Sequence, residues 1–128
     1  MREIKYRFWD SNTNGGCFND FCDLVIYDGG VHEFDGDYHG YSLYSRPKVI
    51  AQQYTGLKDK NGVEIYEGDV MAWDNSEGDQ EIYNIHYNTK RCAFEMKSIK
   101  NLYTDPRIDI RCYVIGNIYE NPELITKR

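Results

Sequence analysis

Hydrophobic and polar residues alternate with the period of a strand along most of this chain. At the start, Ile4, Tyr6 and Phe8 alternate with Glu3, Lys5 and Arg7, which predicts a strand over residues 3–9 with one buried face. Asn14-Gly15-Gly16 then supplies a turn. Further strands are expected at Asp23–Tyr27, closed by Asp28-Gly29-Gly30, and at Val31–Phe34. Residues 35–45, rich in Gly, Tyr and Asp without clear period, are expected to form a loop pinned by Tyr38, Tyr41 and Tyr44.

After Pro47 the pattern sharpens. Strands are predicted at Val49–Tyr54, Val70–Trp73, Glu81–Tyr87, Ala93–Lys97 and Arg111–Gly116. Asn61-Gly62 is a strong reversal signal between them, and Glu67-Gly68-Asp69 makes a second corner. In Glu81–Tyr87 the set Tyr83, Ile85 and Tyr87 is expected to face inward. The one helical hint is Asn121-Pro122-Glu123-Leu124, with Asn as N-cap and Pro as first helical residue. Short strands at regular spacing predict an all-β fold with minimal helix: an N-terminal β module over residues 1–46, a small SH3-like β-barrel over 47–122, and a tail over 123–128.

Composition supports this class. Of 128 residues, 12 are Tyr, and aromatic and β-branched side chains suit a pleated surface. The net charge of −6 is uneven: −5 over residues 1–45, −4 over 46–83 and +3 over 84–128. An acidic chain has no global pull toward nucleic acid, whose binding rests on neutralising phosphates. Lys90, Arg91, Lys97, Lys100, Arg107 and Arg111 would have to gather on one face to supply it. No secretory signal or membrane-length apolar run is present, so a cytoplasmic protein without a membrane role is expected, with Cys17, Cys22, Cys92 and Cys112 as free thiols.

Three segments together resemble the YopX-like proteins of bacteriophages and prophages. They are Met1–Asp10, the central Gln53-Tyr54-Thr55-Gly56-Leu57-Lys58-Asp59-Lys60-Asn61-Gly62 continuing through Glu64–Val70, and Val114–Pro122. The resemblance implies an all-β fold with an SH3-type C-terminal part, a phage origin and a bacterial cytoplasm. It implies no activity and carries over no catalytic residue.

The residues themselves offer little chemistry. Cys17 and Cys22 with His32 and His39 give C-x4-C and H-x6-H, and the histidine spacing overshoots that of structural zinc sites. Asp35, Asp37 and His39 begin like an EF-hand, but loop position 12 falls on Arg46, a cation. No phosphate loop or nucleophile elbow is present; His86 with Cys92 or Cys112, and Glu67 with Asp69, are the remaining catalytic pairings. Cys92 and Cys112 are read as core or near-core thiols. We therefore expect no enzyme, cofactor or metal.

Recognition is the better class. Tyr54, Tyr66, Trp73 and Tyr87 are candidates for an exposed aromatic surface, set against the alternative that they fill the core. The expected role is a non-enzymatic protein-binding or assembly module that self-associates or holds a host or phage protein. The alternative is a small β-barrel that binds nucleic acid through Lys97 and Lys100, or mimics DNA.

Overall fold

In a computed structural model the described residues are 4–10, 17–19, 24–27, 30–37, 40–46, 49–100 and 104–126. Twelve strands and one short helix occupy them, and every strand pair with a defined register is antiparallel. The chain divides into two compact units: Tyr6–Gln52, and Gln53–Arg128 together with Met1–Lys5.

In the first unit β1 (Tyr6–Asp10) pairs with β2 (Cys17–Asn19), a strand without a sequence forecast, through Trp9↔Phe18. β3 (Leu24–Tyr27), β4 (Gly30–Asp37) and β5 (Gly40–Ser45) form a separate three-stranded meander. This corrects the expected loop over residues 35–45: Asp35, Gly36 and Asp37 pair with Ser42, Tyr41 and Gly40. Backbone pairing overrides the low strand propensity of Gly and Asp here. Trp9, Val31 and Val49 are buried, Arg46 pairs with Glu33, and Arg7 Nε donates to Gln52 Oε1 at 3.0 Å.

The second unit begins within β6 (Val49–Lys58), whose end pairs with β7 (Glu64–Tyr66). Five further strands form an open sheet in the order β11-β10-β9-β8-β12. They are β8 (Asp69–Asp74), β9 (Gln80–Asn88), β10 (Ala93–Ser98), β11 (Thr104–Asp105) and β12 (Tyr113–Asn117). Among the described residues no pairing joins β11 to β12, so the strands close no barrel. β11 has two residues, and Pro106 follows with no amide hydrogen to extend a ladder. The helix α1 (Glu123–Thr126) begins at the expected Asn121-Pro122 start.

Ile65, Met71, Ile85, Met96 and Cys112 form the core cluster, with Tyr83, Ile108 and Val114 packed on it. Each such burial contributes roughly 1.5–3 kcal/mol for a large apolar side chain. Ile85 and Tyr83 face this cluster as alternation predicts, while Tyr87 at the strand end is exposed. Ile82, on the opposite pleat, is nevertheless buried, as are Val70 and Ala72. The centre of the sheet is covered on both faces, which a single alternating strand does not disclose.

Candidate functional site

The turn between β9 and β10 builds one wall of a hollow in the second unit. Asn88 Oδ1 accepts the amides of Lys90 at 2.9 Å and Arg91 at 3.3 Å, the short-range bonding that favours Asn in turns. Cys92 then takes a left-handed conformation at φ 53°, and Ala93 re-enters the ladder opposite Asn88. At the next residue Phe94 stands across from Tyr87, with ring centroids 5.1 Å apart in an edge-on arrangement that aromatic quadrupoles favour.

The opposite wall comes from the end of β6. Its register with β7 shifts between Tyr54 and Lys58, and Gly56 inside that irregularity has φ 88°, a backbone state that costs glycine nothing. Thr55 Oγ1 donates to Ile65 O at 2.8 Å and accepts the amide of Leu57 at 3.2 Å, which fixes the bend. Leu57 is thereby left 41% exposed. The open hollow between these walls has a volume of about 460 Å³ and is lined by Leu57, Tyr87, Cys92, Phe94, Arg107 and Ile108 along with Gln53, Thr55 and Ala93. Ile108 also packs on the core cluster, so one floor residue is anchored.

The sequence-derived candidates separate cleanly. Tyr54 and Tyr66 are buried against each other at 5.5 Å, with Lys5 Nζ 5.3 Å from the Tyr54 ring; they are interior residues. Trp73 and Tyr87 are each 38% exposed, Trp73 opposite Glu81 near the start of β9 and Tyr87 opposite Phe94 near its end. Lys97 and Lys100 are exposed. Lys97 lies on the pleat opposite Phe94 and Met96, so it does not join the aromatic pair. Arg91 pairs with the buried Glu95 at 3.3 Å and Arg111 with Asp109 at 2.7 Å, so the basic residues of this region do not gather into one free patch.

The catalytic pairings are not assembled either. His86 Nε2 faces Glu95 Oε1 at 3.9 Å, its partner across the β9–β10 ladder, while Cys92 Sγ leans on Thr89 O at 3.6 Å. Cys92 is exposed rather than near the core; Cys112 is buried, and burial pushes its thiol up to about 11. Asp69 accepts the Tyr66 amide at 2.8 Å and Asn117 Nδ2 at 3.2 Å, the work of a corner bracket. Of the metal candidates Cys17, Cys22, His32 and His39, only the side chain of His32 lies within the described residues. Among the described residues no cluster of three or more His, Cys, Asp or Glu could hold a metal ion.

Sequence reasoning missed Leu57 and Ile108. Neither sits in a clear alternating run, and only the bulge at Gly56 and the return of the 105–112 loop bring them to the aromatic pair.

The central and C-terminal segments that carry the resemblance are bonded to each other. Asp59 Oδ2 accepts the amide of Val114 at 2.9 Å, and Gly68 O accepts that of Ile118 at 2.9 Å. With Asp69 and Asn117 these contacts hold residues 53–70 to 112–118. The YopX protein family model matches residues 5–126, nearly the full chain. The chain belongs to the YopX family. The crystal structure of protein EF1440 from Enterococcus faecalis is similar to this YopX-family chain, with a TM-score of 0.62 and 24% identity over 98% of this chain and 99% of that one. That likeness shows a shared fold. A comparison with curated proteins found no match. Among the described residues no helix is long and apolar enough to cross a membrane.

Proposed function

We propose that this YopX-family chain is a phage-encoded, cytoplasmic, non-enzymatic module that holds another protein against the hollow of its second unit. One observation carries the reading: the edge-on pair Tyr87 and Phe94, with the exposed Leu57 and the half-buried Ile108, lines an open hollow of mixed polarity together with Arg107. Aromatic and Arg side chains contribute disproportionately to protein interfaces, and a pre-fixed surface loses little entropy on binding. The hollow is open, which suits a protruding protein segment better than an enclosed small molecule. Cys92 Sγ is turned to Thr89 O and not to His86, which supports a role without covalent chemistry.

Nucleic-acid binding gains nothing comparable, since Arg91 and Arg111 are each held by a carboxylate and Lys97 faces away from Phe94. Affinity capture from producing bacteria tests the protein-binding reading, with the wild type and Arg107→Glu run in parallel. A partner is expected with the wild type and at least about tenfold less of it with the variant, a loss of about 1.4 kcal/mol. Equal recovery by both would remove the hollow from the interaction.

A further inference from the structure

The hollow sits at one end of β9 and an acidic hairpin tip at the other. Residues 74–81 read Asp-Asn-Ser-Glu-Gly-Asp-Gln-Glu, with four carboxylates and no cation. Asp74, Glu77, Asp79 and Glu81 are all exposed. The Glu77 and Asp79 carboxylates make no ion pair among the described residues. The tip is ordered in advance: Asn75 Oδ1 accepts the amides of Glu77 at 2.9 Å and Asp79 at 3.0 Å, and Asn75 N donates to Asp79 O at 2.8 Å. Trp73 stands at its base opposite Glu81, 38% exposed. This is a large apolar side chain framed by negative charge.

The hollow has the inverse character. Its lining is mixed, with Arg107, Gln53 and Thr55 beside the rings of Tyr87 and Phe94, and Lys58 and Lys90 lie one and two positions from its lining residues Leu57 and Cys92. Lys58, Lys90 and Arg107 are exposed and make no ion pair among the described residues, whereas Arg91 is held by Glu95 on the pleat opposite Phe94. The nearby Asp105 accepts the Arg107 amide at 3.0 Å and so serves the backbone. Thus a site that combines aromatic rings with Arg107, and has Lys58 and Lys90 near it in the chain, lies in a chain of net charge −6.

We infer that the occupant of the hollow is a second copy of this chain, which inserts its acidic β8–β9 hairpin with Trp73 as the apolar anchor. The inference rests on the protein-binding reading above and names the partner. Trp73 pairs with Glu81, six positions from Tyr87 along β9. At the rise of a strand this separates the two aromatics by about 20 Å, so a tip cannot reach its own hollow. The contact is therefore between copies, and it closes as a two-fold dimer when two copies exchange tips or extends into a ring or filament when they do not. Opposite charges at the two ends orient each encounter, and salt screens them.

Light scattering on the purified full chain tests this. The wild type is expected to exceed 15.1 kDa with a mass that rises with concentration and falls in about 0.5 M salt. Arg107→Glu spoils the hollow and Trp73→Ala spoils the tip, so each alone is expected to run as a monomer. Mixed, they retain one good hollow and one good tip between them. They should form a complex of two chains and nothing larger, with circular dichroism showing both variants folded. A wild type that stays monomeric up to millimolar concentration, variants that associate as the wild type does, or a mixture that stays monomeric would each overturn the inference. A photo-crosslinker at Tyr87 that captures a different protein while the wild type is monomeric would also overturn it, yet leave the protein-binding reading standing.

Discussion

Asp59 Oδ2 accepts the backbone amide of Val114 at 2.9 Å across 55 residues of sequence. Its other oxygen takes the amides of Asn61 at 2.8 Å and Val63 at 2.9 Å, so one carboxylate shapes the 59–63 turn and pins β12 to it. Asp59 is buried, and its loss strands three amide donors. Asp59→Ala should therefore cost about 3 kcal/mol of stability, read as a lower urea midpoint. A change near zero would mean that water replaces the carboxylate at no cost.

The same carboxylate gives a pH signature. Burial opposes its ionisation, but the amides of Val114, Val63 and Asn61 outweigh burial and hold the Asp59 pKa below the ordinary 3.8. Folding thus favours the charged form. Its stabilisation is full above about pH 4 and is lost as pH falls through the depressed folded value. The wild-type urea midpoint should drop more steeply than that of Asp59→Asn between about pH 5 and pH 2.5. Asp109, lowered chiefly by its hydrogen bonds from Arg111, leaves a residual acid slope in the variant.

Gly116 meets its neighbours more closely than a side chain allows. A Cβ there would lie 2.5 Å from Asn121 Oδ1 and 2.8 Å from Leu124 Cδ1. Gly116→Ala should lower stability by about 1 kcal/mol, because the Asn121 side chain must turn away and give up the amide of Asn117. Thermal unfolding checks it, and an unchanged midpoint would show that Asn121 and Leu124 move aside freely.

These three cases show what the sequence discloses. Most strands are legible because alternation and turn residues are local properties: β1, β3, β4, β6, β8, β9, β10 and β12 fall near their expected places. β2, β5 and β11 are not, because Cys17–Asn19, Gly40–Ser45 and Thr104-Asp105 have weak periodicity and owe their extended state to partner strands. The candidate site was legible only in part. Trp73 and Tyr87 are exposed while Tyr54 and Tyr66 pack against each other in the interior, a difference that alternation along a single strand does not disclose. The hollow itself depends on the bulge at Gly56 and on the 105–112 loop, both non-local.

The thiols offer a check on which residues line that hollow. In a Cys17→Ser, Cys22→Ser background at about pH 8, Cys92 should react with an aromatic disulfide reagent in the folded protein. Cys112, buried and with its thiol pushed up to about 11, should react only on unfolding. Equal rates for both would contradict the packing of the 105–112 loop.

A photo-reactive aromatic residue placed at 87, compared with one at 97, tests the central claim most directly. Both positions are exposed, on opposite faces of the β9–β10 ladder. On illumination of producing cells, position 87 should yield a discrete protein adduct, with this chain or with another protein, and position 97 should yield none. No adduct at 87, or the same adducts from both positions, would contradict a protein-binding role for the Tyr87 hollow.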